Sequence, residues 1–356
     1  MHKIFNIRKN KALFSNLLCK HFYFFSVLLI SCSSGYSVNQ QSGKKIAPPE
    51  NGVYVGAFPD MGSTEDSVTF ERLKAFENLT GQKPVWVYFS NNWFGKIKFP
   101  EKEVATIKEF GSIPFIRLMP RSDFEDIKSD PVYSLQKIID GKFDKELKKW
   151  AIEAKNYNEP LMVEFGTEMN GDWFPWSGAH NGKDPEKFKD AYIHIIDIFK
   201  NEGADNITYV FHINYDSSPN EKWNSMSAYY PGDEYIDWIG LSIYGAQKSK
   251  DEWINISELF DKAYREMAGI SINKPLAVFE FGVVENEKKT EWIKTFFDLI
   301  KSGKYNRIKG ISYWHSSWEN DDGSTSHMRL DTSPESLKAY KDAIAEKIFQ
   351  PKIRFK

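Results

Sequence analysis

Cysteine is nearly absent: 356 residues carry two, Cys19 and Cys32. The mature chain argued below keeps no thiol pair, so a disulfide framework is excluded. The seven histidines show no HxxxH or similar ligand spacing, so the sequence indicates no metal and no cofactor. Lys/Arg-rich runs are missing, and with them the electrostatic footprint of a nucleic-acid binder. No glycine-rich phosphate loop follows the first strand-like run, which argues against a nucleotide-binding, doubly wound sheet. After residue 50 there is no second linker, internal repeat or low-complexity tract, so residues 51–356 read as one domain.

The N-terminus has its own composition. Residues 1–31 contain Lys3, Arg8, Lys9, Lys11 and Lys20 and no acid, then an apolar run from Phe22 to Ile30. A basic stretch followed by a run too short to span a bilayer reads as an export signal. Leu29-Ile30-Ser31-Cys32 resembles a bacterial lipobox, which makes Cys32 the expected lipidated N-terminus; ordinary cleavage near Ser34 or Gly35 is the alternative. Residues 32–50, rich in Ser, Gln, Gly and Lys and ending near Pro48-Pro49, read as a flexible tether. The expected address is therefore the cell envelope, with the body anchored to a membrane by lipid. Loss of the five cations takes the net charge from −2 to −7.

Eight short apolar runs follow: Val53–Ala57, Val85–Phe89, Ile113–Arg117, Leu161–Phe165, Tyr209–His212, Trp238–Ser242, Leu276–Phe281 and Gly310–Tyr313. Several are continuously apolar, as parallel strands covered on both faces must be. Helix punctuation lies between them. Asp184-Pro185 opens a stripe of Phe188, Tyr192, Ile195, Ile196 and Phe199; Thr290 precedes another, and Ser333-Pro334 starts the last. The third and fifth helical segments lack a clean pattern. Strand–helix alternation repeated eight times over ~300 residues predicts an α/β fold, a single (β/α)8 TIM barrel.

Barrel sites form where strands end. Glu168 follows the fourth run within GTEMNGDWFPW, and Glu280 lies near the end of the seventh within VFEFG. Two carboxyls, one donating a proton and one attacking, are the minimum equipment for glycoside hydrolysis with retention. Asn170, Trp173, Phe174 and Trp176 add an amide for sugar hydroxyls and flat rings for pyranose faces. Glu164 in the preceding EFG reads as a structural group of the barrel's polar layer. Arg117 either orients a carboxylate or forms a structural ion pair. His212 and His315 either touch sugar hydroxyls or satisfy structural hydrogen bonds. Trp93, after the second run, divides evenly between an outer sugar subsite and packing.

GTEMNGDWFPW and VFEFG resemble the acid/base and nucleophile signatures of glycoside hydrolase family 26, β-mannanases and related endo-glycanases of a retaining barrel clan. YYPGDEYIDWIGLSIYG (residues 229–245) and GISYWHSSWEN (residues 310–320) extend the likeness over most of the barrel. The resemblance implies Glu168 as acid/base, Glu280 as nucleophile and Tyr244 as its contact. It also implies Trp173 and Trp314 as aromatic residues lining the sugar sites, with Asn170 and Trp176 in the same signature. The expected partner is a β-linked oligo- or polysaccharide bound by a monomer, with no nucleic acid. Mannanases of the family commonly have histidine directly before the acid/base, where this chain has Thr167. The reaction type is unaffected but the substrate is opened: β-1,4-mannan first, then mixed-linkage β-glucan and β-1,3-xylan. A non-catalytic glycan-binding lipoprotein is the alternative of another class.

Overall fold

The eight apolar runs become eight parallel strands. The computed structural model describes residues 44–124, 128–320 and 322–356. The proposed signal and Cys32 lie outside them. The strands are β1 (Val53–Phe58), β2 (Trp86–Asn92), β3 (Ile113–Met119), β4 (Leu161–Phe165), β5 (Ile207–Asn214), β6 (Trp238–Tyr244), β7 (Leu276–Gly282) and β8 (Ile308–Trp314). Each pairs with its neighbour in sequence, and β1 pairs with β8 from Tyr54 opposite Gly310 to Phe58 opposite Trp314. That pairing closes the ring and removes both sheet edges. All residues of β1, β5, β6 and β7 are buried, which is why these runs carry so few polar residues.

Helices α1 (Phe70–Thr80), α2 (Glu101–Phe110), α3 (Leu135–Ile139), α4 (Asp144–Tyr157), α5 (Pro185–Asn201), α6 (Ile256–Ile270), α7 (Lys289–Lys301) and α8 (Pro334–Ile344) connect the strands. In α5, Asp184 accepts the Glu186 N–H and Pro185 fills the first position, as its punctuation predicts. Ser333 caps α8 in the same way. The two ill-defined segments have a structural reason. Between β3 and β4 the helix is broken into the five-residue α3 and the longer α4. Between β5 and β6 there is no α-helix, only the 3₁₀ turns Lys222–Asn224 and Met226–Tyr229.

The lower barrel is filled by large rings facing glycines. Trp86, Trp238 and Phe279 meet edge-on or tilted, and Trp86 Nε1 donates to the Ser312 hydroxyl at 2.8 Å. A Cβ on Gly56 would stand 2.0 Å from Trp86, and one on Gly240 2.2 Å from Phe279. The rings therefore fix these positions as glycine by volume. Above them lies a polar layer of Tyr88, Arg117, Glu164, His212 and Ser242, all buried. This layer is the floor of the site.

Candidate active site

Glu168 is held in a strained turn. The chain leaves β4 at Phe165, then Gly166 and Glu168 both adopt left-handed backbone, at φ +55° each. Gly166 is required twice over, because a Cβ there would also meet Phe188 at 2.9 Å and Trp176 at 3.0 Å. The Glu168 N–H donates to the His212 carbonyl at 2.9 Å, and its own carbonyl accepts from Gly171 at 2.9 Å. The turn aims the carboxyl across the barrel mouth, where the Trp173 indole N–H donates to its Oε2 at 2.8 Å.

Glu280 reaches the mouth by another route. Strict alternation along β7 would send Phe279 and Glu280 to opposite faces. The pairing slips by one residue, however: Leu241 is opposite Val278, and Ser242 is opposite Glu280. Against β8 the same extra residue falls between Val278 and Phe281. This bulge lets both side chains point inward, Phe279 onto Trp86 and Phe115, Glu280 to the Tyr244 hydroxyl, which donates to its Oε2 at 2.7 Å. Burial raises the Glu280 carboxyl to about 7, with the charge of Glu168 adding to the rise and Arg117, His212 and Tyr244 opposing it. Tyr244 is itself pushed well above the usual phenol range by burial and by the two glutamates, so it remains a donor.

Both glutamates line one open cavity of about 550 Å³, with Tyr244, Trp173, Trp314 and Arg117. Trp314 lies flat on Phe58 with ring centroids 3.6 Å apart, and Trp173 stands at the entrance, 41% exposed. Of the candidate sugar contacts, Trp173, Phe174 and Trp314 are therefore at the cavity. Asn170, Trp176, His212, His315 and Trp93 are not among its lining. His212 is 1% exposed and spent inside: Nδ1 is 2.8 Å from Glu164, and Nε2 is 2.9 Å from the Ser242 hydroxyl. Its pKa is raised: burial opposes charging, but Glu164 beside it, with Glu280 and Glu168 farther off, outweighs burial. Asn170 is fully buried, its carbonyl accepting from the Asn214 N–H and its amide donating to the Asn214 carbonyl. It splices the loop after β4 to the end of β5. Trp176 is buried against Phe174 and donates to the Thr167 carbonyl. Trp93 is buried among Tyr133, Phe143 and Phe165. His315 accepts from the Leu330 N–H, and burial with the nearby Arg329 lowers it to about 4. Thr167 is fully buried and faces His212 at 3.2 Å.

The structure adds residues that sequence reasoning passed over: Glu65, Asn214, Tyr215, Asp216, Gln247 and Trp318 also line the cavity. Most sit on the loops after β5, β6 and β8. Only Trp318 lay inside a segment carrying the family likeness, and that signal could have found it. Glu65, in the loop after β1, had none.

A closed parallel barrel with an aromatic cavity at the C-terminal ends of its strands, and two carboxyls there on β7 and after β4, defines the glycoside-hydrolase type of TIM barrel. Residues 119–323, more than half the chain, match the sequence profile of glycosyl hydrolase family 26. The protein belongs to glycoside hydrolase family 26. It is 30% identical over 312 residues to Endoglucanase H of Acetivibrio thermocellus, a match covering 86% of this chain and 31% of that protein. It is 25% identical over 308 residues to a mannan endo-1,4-beta-mannosidase of Bacillus subtilis strain 168, covering 76% and 80%. Among solved structures it is similar to the catalytic domain of a Bacillus sp. JAMB-750 GH26 endo-beta-1,4-mannanase, with TM-score 0.63 and 18% identity over 84% and 87% of the chains. The chain thus spans about a third of the first of these relatives.

Proposed function

We propose that the protein is a retaining endo-β-glycanase acting on β-1,4-mannan. The observation that carries this is the unequal setting of two carboxyls in one cavity. Glu280 is buried, which by itself disfavours its charge, but Tyr244 at Oε2 and the facing Arg117 favour the ionised form that an attacking carboxylate needs. Glu168 is also buried, at 8% exposed, but its Oε2 accepts from the exposed Trp173 at the cavity entrance, as suits a group that trades protons with a leaving group and then with water. In this mechanism Glu280 attacks the anomeric carbon while Glu168 protonates the departing oxygen, and the glycosyl-enzyme is then opened by water that Glu168 deprotonates. Trp314 provides a flat face for the sugar at the reacting centre.

A second substrate, β-glucan, is favoured by one observation. The 30% relative that matches along 86% of this chain is an endoglucanase, and this chain has Thr167 where mannanases of the family commonly have histidine. The test is product analysis of residues 33–356 on β-1,4-mannan and on mixed-linkage β-glucan, with NMR of the first-formed anomer. Short mannooligosaccharides of retained configuration are the expected result. Products from glucan alone would move the substrate, inverted products would discard the mechanism, and binding without turnover would leave a glycan-binding protein.

The family likeness does not reach the N-terminus. We also propose that residues 1–31 direct export, that Cys32 carries lipid, and that residues 32–50 tether the barrel to the envelope. Labelled fatty acid should enter the full chain and not the Cys32→Ala variant; equal labelling would discard the anchor.

A further inference from the structure

The three nitrogens of Arg117 face three different carboxylates. Nη1 is 3.0 Å from Oε2 of Glu65, Nε is 3.6 Å from Oε1 of Glu164, and Nη2 is 3.6 Å from Oε1 of Glu280. Only the contact to Glu65 is a hydrogen bond. Among the described residues, buried Oε1 of Glu280 receives no hydrogen bond from the protein, and neither does Arg117 Nε find an acceptor. The two oxygens of Glu280 are thus unequal: Oε2 is held by Tyr244, and Oε1 is left bare for attack. A guanidinium that closed on Oε1 would form a strong charge-assisted bond to it and stabilise the resting carboxylate rather than the transition state.

Something must hold Arg117 back, and Glu65 is in place to do it. Its backbone is left-handed at φ +58°, and of the four described non-glycine residues in that region only Glu65 and Glu168 line the cavity. Strain of this kind persists only where the surroundings over-determine it. Here the clamps come from β2. The Ser90 N–H donates to the Glu65 carbonyl at 2.9 Å, the Ser90 hydroxyl to Glu65 Oε2 at 2.7 Å, and the Asn92 amide to the Thr64 carbonyl at 2.9 Å.

We propose that Glu65 is a positioning residue: by anchoring Arg117 through Nη1, it keeps the guanidinium at ion-pair distance, but outside hydrogen-bond distance, of the attacking oxygen of Glu280. The nucleophile is then charged and still bare. The proposal rests on the assignment of Glu280 as nucleophile made above. A purely structural Glu65 would only neutralise a buried arginine.

The groups facing Glu280 are Arg117 from β3, Glu168 from the loop after β4, His212 from β5 and Tyr244 from β6. Tyr88 of β2 and Glu164 of β4 face the same guanidinium. Replacing Glu65 by glutamine removes a negative charge from this set and frees Arg117 to close on Oε1. Both changes favour the ionised nucleophile, so they act in one direction on the pH profile.

The experiment compares full-length wild type with E65Q and S90A, using an activated aryl β-mannobioside and its cellobioside counterpart. The acid limb of kcat/KM should move down by about one pH unit in E65Q. At the plateau kcat should fall roughly tenfold, the worth of one charge-assisted hydrogen bond to the resting carboxylate. S90A, which keeps the charge and loses one clamp, should shift the limb in the same direction by less, and it keeps the test alive if E65Q does not fold. A limb unmoved in both variants, or an effect confined to KM, overturns the proposal. Glu280→Ala separates the two readings. Wild-type turnover in that variant discards the nucleophile assignment itself, whereas an inactive Glu280→Ala beside an unmoved E65Q limb discards only the role given to Glu65.

Discussion

Removing one hydroxyl, in Tyr244→Phe, should displace the acid side of the pH profile by a calculable amount. The phenol donates to Glu280 Oε2 at 2.7 Å inside the barrel, and Tyr244 is 8% exposed, so water replaces the lost bond poorly. A buried hydrogen bond to a charged group contributes about 1.5–3 kcal/mol. One pKa unit corresponds to about 1.4 kcal/mol, so the Glu280 carboxyl should rise by about one to two units. It starts at about 7, which places the acid limb of wild-type kcat/KM there and that of the variant at about 8–9. The bell narrows from its acid side only. At pH 6 the variant should therefore lose roughly tenfold to a hundredfold in kcat/KM relative to wild type, and less above pH 8. The assay is kcat/KM against pH on an activated aryl glycoside, whose leaving group needs little help from Glu168. A uniform loss at every pH, with the limb still near 7, would refute the reasoning and make Tyr244 a substrate contact instead.

The same raised carboxyl makes folding stability depend on pH. Glu280 titrates at 4.5 unfolded and about 7 folded, so the folded state holds an extra proton in that window and stability falls as pH rises through it. Glu280→Gln cannot titrate: it should match wild type near pH 4 and exceed it by about 3 kcal/mol at pH 8 in urea melts, and equal stability at pH 8 would contradict the burial argument. His212→Ala should cost about 3–5 kcal/mol, because it leaves buried Glu164 without the partner held 2.8 Å from its Oε2, while KM is unchanged. A tenfold rise in KM with unaltered stability would instead return His212 to the substrate.

The barrel was legible because burial on both faces writes itself into a parallel strand. All eight strands appeared as apolar runs, and β4 kept its predicted ends, Leu161 and Phe165. The structure lengthens the others, mostly at their C-terminal ends: β3 runs on to Met119 and β8 to Trp314. In β2 the added residues are Ser90, Asn91 and Asn92, so the apolar pattern stops before the strand does; in β3 the pattern breaks at Arg117, and the apolar Leu118 and Met119 lie beyond that break. The helix between β5 and β6 was illegible for a simpler reason. It does not exist, and the 3₁₀ turns in its place pack through Tyr229 and Met226 without a helical stripe.

At the site, what could be read was residue type, and what could not was direction. Asn170 and Trp176 have sugar-binding chemistry and motif positions, and His212 lies near a strand end, yet the fold turns each inward to splice loops or to bond Glu164. A side chain at a strand end faces either the cavity or its support, and the choice depends on a register that composition does not record. The clearest case is Glu280. A strict two-residue period places it on the face opposite Phe279, against the helices, and only the extra residue in the pairing of β7 with both neighbours turns it inward. Glu65 is the converse. Its Ser-Thr-Glu-Asp-Ser surroundings carry no motif, and its place in the cavity follows from a left-handed backbone that β2 clamps across the fold. Bulge and strained turn are both long-range effects of the closed barrel on one local conformation. Each departs from its local rule where a carboxylate must be aimed at the cavity, which is where a fold has reason to sacrifice local preference.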